Sequence, residues 1–217
     1  MLSYSEENHI KVIYHLSNHG SEEVTTNSIS EALKTKPASV SDMLKKLSLK
    51  GLIEYEKYQG VKLSTQGKVI AMGVIRKHRL WEVFLVEKLQ FHWDEVHDIA
   101  EQLEHINSEL LTQRLDDFLG HPTHDPHGDP IPDAQGFIKI ESQRILSGLS
   151  KKMSGVVVGV KDTSSGFLKY LDKLEIGLGC RIEIKETNDF DGSMEIKING
   201  KKEVVVSKEI AINILVN

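Results

Sequence analysis

The hydrophobic pattern changes its period along the chain, and this change is the feature that most constrains the fold. Up to Leu119, apart from residues 53–63, apolar residues recur at every third or fourth position, which is typical of amphipathic helices. From Met153 onward they alternate, as in Arg181–Lys185, and Asn199-Gly200 is a strong signal for a two-residue hairpin turn. The sequence therefore predicts a mainly α protein that ends in a small β-barrel-like module, with one short helix at Ser165–Leu174.

The first third of the chain has the order of a winged helix-turn-helix. Short amphipathic helices are predicted at Ser5–Asn18 and Thr26–Leu33. A third helix begins at Pro37, which suits a first helical turn, and ends at Gly51. The alternating segment at residues 53–63 then predicts a β-hairpin, which is the wing.

The middle of the chain is predicted to be helical and to provide a dimer contact. A proline-free stretch from Ser64 to about Leu89 is long for a small protein, and such helices often pack against a partner. The later segments are, in order, helices at Trp93–Ile106 and Ser108–Leu119, a loop at Gly120–Gly136, and a helix or mixed segment around Ile138–Leu149. We expect three domains, at residues 1–64 (DNA binding), 65–150 (helical dimerisation and metal binding) and 151–217 (the β module).

Charge is distributed unevenly along the chain. Residues 1–79 carry 12 Lys/Arg and 8 Asp/Glu, whereas residues 80–150 carry 4 and 14; residues 151–217 are nearly balanced at 11 and 10. A basic segment beside a strongly acidic one is consistent with phosphate on one side and cations on the other. Two differently solvated faces would show the same asymmetry, and this alternative stays open at the level of composition.

Composition also predicts the compartment. No apolar run reaches the roughly 18 residues that a membrane span needs, and no signal peptide is visible. Cys180 is the single cysteine, so an internal disulfide is excluded. We therefore expect a cytoplasmic protein without a membrane partner.

The candidate DNA-reading residues lie on the third helix and the wing. Short polar side chains on the exposed face of the helix would read base edges, and lysines around them would contact phosphates. The alternative is that these lysines only solubilise the surface. The candidates are Lys36, Ser39, Ser41, Asp42, Lys45 and Lys46, with Lys57 and Gln59 in the wing.

A second group of polar residues predicts a metal site. On a helix, His97, Glu101, Glu104 and His105 are spaced by four, three and one residues and share a stripe beside the apolar face. Such groups at the edge of a core repel each other or lose hydration unless a cation joins them. His78 and Glu82 form a similar pair one turn apart on the preceding helix. A solvated acidic face with surface His–Glu pairs is the open alternative.

The donor types favour particular metals. Carboxylates and imidazoles without a thiolate favour Mn²⁺ or Fe²⁺ over a thiolate zinc site, although Zn²⁺ or Co²⁺ can substitute in vitro. Cys180 lies in the C-terminal module and is expected to be a small buried hydrophobe.

These motifs together resemble the metal-dependent repressors of the diphtheria-toxin-repressor and manganese-transport-regulator type, and the resemblance covers nearly the whole chain. The segments that carry it are Glu7-x-x-Ile10-x-x-Ile13-Tyr14, Ala38-Ser39-Val40-Ser41, Tyr55-Glu56-Lys57-Tyr58-Gln59-Gly60, Arg76-Lys77-His78-Arg79-Leu80-x-Glu82, Val96-His97-Asp98-x-Ala100-Glu101-x-Leu103-Glu104-His105 and Asp125-Pro126-His127-Gly128-Asp129-Pro130-Ile131-Pro132.

The resemblance implies a homodimer, a C-terminal SH3-like, FeoA-like barrel and two metal sites. It implies a primary site formed by Glu101, Glu104, His105 and Asn8. The implied ancillary site consists of His78, Glu82 and His97, with a C-terminal carboxylate such as Asp162 as a further candidate. Glutamate at position 101 resembles the manganese type, because iron-type members carry cysteine there.

The chain departs from the family pattern at two positions of the first helix. Asn8 stands where the manganese type has an acid and the iron type a methionine. Lys11 stands where the manganese type has a second acid. Asn8 can still bind through its amide oxygen, but a neutral ligand weakens the primary site. Lys11 argues against two closely paired manganese ions and favours separate sites.

The sequence thus predicts a dimeric repressor that binds double-stranded operator DNA when metal is bound and controls genes of metal homeostasis. One alternative is a winged-helix regulator that senses an organic ligand, although no small organic substrate is expected. Another is a metalloenzyme, but no catalytic motif is present, so we expect no enzyme activity. A third metal site at His121, His124 and His127 is a further alternative to a purely structural loop.

Overall fold

A computed structural model describes residues 2–55, 60–139 and 142–217. It divides into two compact units. The first contains residues 1–78, 101–112 and 132–138, and the second contains residues 79–100, 113–131 and 139–217.

The first unit begins with three helices, α1 (Tyr4–Leu16), α2 (Thr26–Ala32) and α3 (Pro37–Leu49). Ser3 and Glu6 form a reciprocal capping box that fixes the start of α1. Gly51 ends the last helical turn with a φ of +70°, a conformation that side chains disfavour. The three helices of the predicted DNA-binding segment are therefore confirmed.

A two-stranded antiparallel sheet follows, formed by β1 (Ile53–Tyr55) and β2 (Val61–Leu63). The wing tip at residues 56–59 lies outside the described residues. The core of the unit is apolar and is filled by Ile10, Ile13, Ile29, Leu44 and Leu47, all fully buried.

The long helix α4 (Thr65–Leu89) has 25 residues, as predicted, and the boundary between the two units falls within it after His78. Gly67 lets its first turn approach the wing closely. A Cβ at Gly67 would lie 2.1 Å from the carbonyl oxygen of Leu52, so no larger residue fits there.

The next two helices are α5 (His97–Leu103) and α6 (Glu109–Leu119). The predicted helix at Trp93–Ile106 is wrong in extent. It is shorter at both ends, because the residues before His97 form turns and Ile106 N–H donates to Leu103 O, which closes a turn after α5. Glu104 and His105 therefore lie in that turn and not on a helical stripe.

The C-terminal part is a six-stranded antiparallel sheet in the order β3-β8-β4-β5-β6-β7 with two short helices. The predicted helix α7 and the hairpin turn at Asn199-Gly200 are confirmed. A last helix and strand were not predicted. The elements are β3 (Arg144–Ile145), β4 (Ser154–Val160), α7 (Ser165–Leu174), β5 (Arg181–Thr187), β6 (Met194–Ile198), β7 (Lys202–Val206), α8 (Lys208–Ile212) and β8 (Ile214–Val216).

The mainly α fold with a winged helix-turn-helix and a C-terminal β module is confirmed. Residues 120–136 form the predicted loop, and the mixed segment before β4 consists of β3 and a short 3₁₀ turn in its described part. Among the described residues, no helix combines the length and the apolar character that a bilayer crossing requires.

Candidate metal centre and nucleic-acid interface

The candidate DNA-reading face surrounds α3. Lys36, Ser39 and Asp42 are exposed, and Ser41 is half-buried with its hydroxyl donated to Pro37 O at 3.0 Å. Asp42 accepts from Lys45 Nζ at 2.9 Å, so that lysine is partly neutralised on the surface. A groove of about 800 Å³ runs beside these residues, and Thr25, Thr26, Asn27, Pro37, Ser41, Lys45, Ser48, Leu49, Tyr55 and Gly60 line it.

Lys46 has a structural partner that the sequence analysis did not predict. Its Nζ lies 3.2 Å from Glu6 Oε1, and Lys50 Nζ lies 2.6 Å from the same oxygen. Burial raises the pKa of Glu6, but hydrogen bonds from Lys50, the Ser3 backbone and Lys46 outweigh it and lower the pKa to about 2. These ion pairs fasten α3 to α1. Lys57 and Gln59 lie outside the described residues.

The first group of predicted metal ligands surrounds a lysine, and we call it the Lys11 cluster: Lys11, Glu101, Glu104, His105, His78 and Glu7. Lys11 Nζ lies 2.6 Å from Glu104 Oε1, 2.8 Å from Glu104 Oε2 and 3.3 Å from Glu101 Oε1. The side chain of Glu104 is fully buried and that of Lys11 is 10% exposed. The ammonium of Lys11 therefore balances the acidic charge that the sequence placed here.

Two histidines complete this cluster. His78 Nδ1 donates to Glu104 Oε2 at 2.6 Å, and His105 Nδ1 donates to Glu7 Oε2 at 2.6 Å. Burial raises the pKa of Glu104, but the His78 hydrogen bond and the charge of Lys11 bring it below its usual value. Glu7 was not predicted as a site residue, although it begins one of the motifs shared with the family. Its position next to the half-buried Asn8 was a second available signal.

The donor chemistry of the Lys11 cluster fits a metal in part. With Nδ1–H donated to Glu7, a neutral His105 carries its lone pair on Nε2. This atom is buried without a hydrogen-bond partner and lies 3.4 Å from the buried Glu104 Oε1, which Lys11 Nζ contacts at 2.6 Å. Two converging donors suit a cation, although Lys11 already contacts the same carboxylate.

A second group lies in the second unit, and we call it the Glu82 cluster: Glu82, Asp125 and His127. All three side chains are buried, and each offers a ligand atom within 4.8 Å of the others. His127 Nδ1 lies 3.7 Å from Glu82 Oε2, and His97 Nδ1 lies 3.6 Å from Glu82 Oε1. Glu82 and His97 were both predicted ligands, and at this distance the structure brings the two together. His78 stands one turn before Glu82 on α4.

The electrostatics of the Glu82 cluster favour a cation. Burial, Glu82 and Asp129 raise the pKa of Asp125 to about 7. Burial lowers the pKa of His127, but the hydrogen bond and charge of Glu82 raise it to about 9. Arg79 Nε lies 3.6 Å from Asp125 Oδ2 and supplies one positive charge. Two buried carboxylates facing an imidazole form a donor set that suits Mn²⁺, Fe²⁺ or Zn²⁺.

The loop at residues 120–136 holds Asp125 and His127 in place. Asp125 Oδ1 accepts from the backbone N–H of His127 at 2.8 Å and of Asp129 at 3.0 Å. His127 Nε2 donates to the carbonyl oxygen of Trp93 at 2.8 Å, so Nδ1 faces Glu82. Gly128 has a φ of +90° and packs against Val158. Asp125 was not predicted as a ligand, and the Asp-Pro-His-Gly turn was the available signal.

The other histidines of this loop do not gather as a third site. His121 Nδ1 donates to Asp116 Oδ2 at 2.9 Å, and His124 Nδ1 lies 3.0 Å from the Thr123 hydroxyl. Asp162, a further candidate ligand, accepts from the backbone N–H of Ser164 at 2.8 Å.

Comparison with known families covers most of the chain in three parts. Residues 1–61 match the family described as iron dependent repressor, N-terminal DNA binding domain. Residues 64–133 match iron dependent repressor, metal binding and dimerisation domain, and residues 145–217 match the FeoA domain.

Curated relatives include iron and diphtheria repressors. The chain is 35% identical over 126 residues to the iron-dependent repressor IdeR of Mycobacterium leprae, a match covering 58% of this chain and 54% of that protein. It is 27% identical over 206 residues to the diphtheria toxin repressor of Corynebacterium diphtheriae, covering 90% and 89%. With IdeR, the chain thus matches about half of the relative's length.

Similar solved structures span both chains almost completely. A manganese-dependent transcriptional repressor in complex with manganese is 32% identical with a TM-score of 0.86, covering 97% of this chain and 98% of that one. ScaR with bound Cd²⁺ is 31% identical with a TM-score of 0.77, covering 98% of each chain. On this sequence and structural similarity, the chain belongs to the family of iron-dependent repressors that includes the diphtheria toxin repressor and the manganese-dependent repressors.

Proposed function

We propose that this protein is a dimeric, metal-dependent transcriptional repressor that binds double-stranded operator DNA when Mn²⁺ or Fe²⁺ is bound. The observation that carries the proposal is the buried Glu82 cluster, in which Glu82, Asp125 and His127 place three ligand atoms within 4.8 Å of one another. Family membership supports the same function. Control of genes for metal homeostasis follows from it.

Burying the carboxylates of the Glu82 cluster without a cation beside them costs free energy. Ionised carboxylates lose several kcal/mol of hydration when they leave water, by the usual order of magnitude. Arg79 offsets part of that cost for Asp125. Without metal, the proton on His127 supplies a further positive charge beside Glu82, and a divalent ion would replace it when bound. The chain's own contribution is to hold the carboxylates and Nδ1 of His127 converged, and to release the proton that His127 otherwise carries.

The predicted primary site is proposed as a second metal site. Its members would be Glu101, Glu104 and His105 together with Asn8. The support is the buried His105 Nε2, which lacks a hydrogen-bond partner and lies 3.4 Å from the buried Glu104 Oε1. The ancillary set of His78, Glu82 and His97 overlaps the Glu82 cluster through Glu82, and we propose that His97 joins it from α5.

DNA binding and dimerisation are proposed for the first two of the three predicted domains, residues 1–64 and 65–150. The exposed face of α3 with its neighbouring groove supports DNA binding. On α6, Leu110 and Phe118 are 65% and 64% exposed, which supports a dimer contact on this helix. A cytoplasmic location and the absence of catalytic activity complete the proposal, because the relatives act as repressors.

The test is operator binding with and without metal. Duplexes selected from a random DNA pool in Mn²⁺ provide the operator, and fluorescence anisotropy measures its affinity in Mn²⁺, Fe²⁺, Co²⁺, Zn²⁺ or chelator. We expect chelator to weaken binding by at least about tenfold. Equal affinity in Mn²⁺ and chelator would refute the proposal. A regulator that senses an organic ligand would keep its regulation in the Glu82→Gln variant.

A further inference from the structure

The Lys11 cluster contains its own cation, the ammonium of Lys11, at the carboxylates that were predicted to bind metal. Lys11 Nζ contacts both oxygens of Glu104, at 2.6 and 2.8 Å, and Glu101 Oε1 at 3.3 Å. An ammonium that contacts both oxygens of one carboxylate directs its charge at the atoms a metal would use. All of these residues lie in the first unit.

The same carboxylate faces a histidine whose free nitrogen points to it. His105 Nε2 is buried without a hydrogen bond and lies 3.4 Å from Glu104 Oε1, the oxygen that Lys11 Nζ contacts at 2.6 Å. Ligands for a divalent ion are therefore present. An ion bound to Glu104 would lie about 2 Å from its oxygen and hence within a few ångströms of the ammonium. Repulsion between two cations at that distance is strong where water is excluded.

We propose that the Lys11 ammonium competes with divalent metal for the Glu104 carboxylate and thereby raises the metal concentration at which this site fills. The inference rests on the proposed function, because it assumes that Glu104 and His105 bind metal. Lys11 is a residue of α1, whereas Glu104 follows α5. The ammonium thus links α1 to this segment without a metal, and metal binding exchanges one cationic link for another.

The chain offers a matched control for removing this charge. Lys50 Nζ lies 2.6 Å from the buried Glu6, which is on α1 like Lys11. Lys50→Met therefore removes one ammonium from a buried glutamate without changing the Lys11 cluster. Lys11→Met and Lys11→Gln remove the charge at Glu104, and Lys11→Arg keeps it. All four changes are made in a Glu82→Gln background, which removes the central carboxylate of the Glu82 cluster, so that differences in Mn²⁺ affinity between the Lys11 variants report on the Glu104 site.

Mn²⁺ affinity is measured by titration calorimetry and by the electron paramagnetic resonance signal of free Mn²⁺. We expect Lys11→Met and Lys11→Gln to bind Mn²⁺ at least about tenfold more tightly than the background. Lys11→Arg and Lys50→Met should stay within about twofold of it. Unchanged or weaker binding in both neutral Lys11 variants would overturn the inference. No Mn²⁺ binding to the wild-type protein would instead refute the proposed function.

A second measurement uses the wild-type chain and does not depend on the folding of any variant. Competition requires Lys11 Nζ to leave its buried position when the site fills. Acetylation of Lys11 by a water-soluble reagent, followed by mass spectrometry, should therefore accelerate at saturating Mn²⁺, whereas acetylation of the exposed Lys201 should not change. An equal Lys11 rate with and without Mn²⁺ would overturn the inference.

Discussion

At the scale of single residues, the Glu82 cluster is a case of charge placed where water is scarce. Asp125 is buried beside Glu82, and its pKa of about 7 shows that ionising it is costly. Its Oδ1 nevertheless accepts two backbone N–H groups, which fix its position. Asp125 is therefore held in place as an acceptor while burial disfavours its charge. A divalent ion bound beside it would favour the charged form.

The change Asp125→Asn tests this role. The amide oxygen can keep both backbone hydrogen bonds, so we expect little change in thermal stability but at least about tenfold weaker Mn²⁺ binding by calorimetry. Asp133→Asn is the control, because Asp133 Oδ1 also accepts two backbone N–H groups, from Gln135 and Phe137, outside the cluster. Equal Mn²⁺ affinity in the two variants would contradict the assignment of Asp125.

Glu6 makes the stability of the DNA-binding helices depend on pH. Its pKa falls from 4.5 to about 2 in the folded protein. The folded state therefore binds fewer protons, and the stabilisation is fully present above about pH 4.5 and is lost as pH falls towards 2.

We expect Glu6→Gln to lower the free energy of unfolding by roughly 1–2 kcal/mol at pH 7, discounted because Lys46 and Lys50 are partly exposed. The difference should shrink near pH 2–3. Urea unfolding of the metal-free protein at both pH values measures it, with Glu31→Gln, an exposed residue of α2, as the control. A Glu6→Gln loss that is independent of pH would contradict this account.

At the scale of elements, the loop at residues 120–136 depends on Gly128. A Cβ there would lie 2.1 Å from the carbonyl oxygen of Val158, at a φ of +90°. Gly120 also has a positive φ, of +74°, but open space around it. Both changes to alanine strain the backbone, and only Gly128→Ala adds a clash next to His127.

We therefore expect Gly120→Ala to cost about 1 kcal/mol of stability and Gly128→Ala clearly more. Gly128→Ala should also weaken Mn²⁺ binding, because His127 is displaced from Glu82. Thermal unfolding and calorimetry measure the two effects. Equal losses in the two variants would show that the close approach to Val158 does not matter.

The sequence predicted the elements whose signals are local. The helix at Ser165–Leu174 and the turn at Asn199-Gly200 follow from periodicity and turn chemistry, which act over a few residues. The predicted helix at Trp93–Ile106 was too long, because tertiary contacts compete with helical propensity there. Trp93 packs against the C-terminal core and its indole N–H donates to Asp172 at 3.1 Å, contacts that no local pattern reveals.

The candidate site was predictable in its residue types but not in its partners. The family resemblance implied that His97 and Glu82 share a site, and the structure shows His97 Nδ1 3.6 Å from Glu82 Oε1. The contacts of Lys11 with Glu104 and of His127 with Glu82 join residues far apart in sequence. Spacing along one helix carries no information about such pairs, so Asp125 and Glu7 were missed.

At the scale of the whole molecule, positive charge is concentrated in the segment proposed to bind DNA, and negative charge in the middle segment proposed to bind metal. Residues 1–79 carry 12 basic and 8 acidic side chains, against 4 and 14 in residues 80–150. The excess positive charge is modest, and two of the lysines near α3, Lys46 and Lys50, are paired with Glu6. We therefore expect few phosphate contacts, and we expect operator affinity to fall clearly when any one of them is removed.

The lysine Lys36 tests that expectation. It is exposed at the start of α3, and Lys36→Ala should reduce the slope of log affinity against log salt by about 1. Lys201→Ala, at an exposed turn of the C-terminal module, should leave the slope unchanged. Anisotropy titrations with operator DNA in Mn²⁺ at several salt concentrations provide the slopes. Identical slopes for Lys36→Ala and the wild type would exclude a phosphate contact.

The central claim is that a divalent ion is held by the Glu82 cluster. Anomalous diffraction at the manganese edge from crystals grown with Mn²⁺ tests it most directly. The account predicts an anomalous peak in contact with Glu82, Asp125 and His127. Saturating Mn²⁺ with no peak among these three side chains would contradict it.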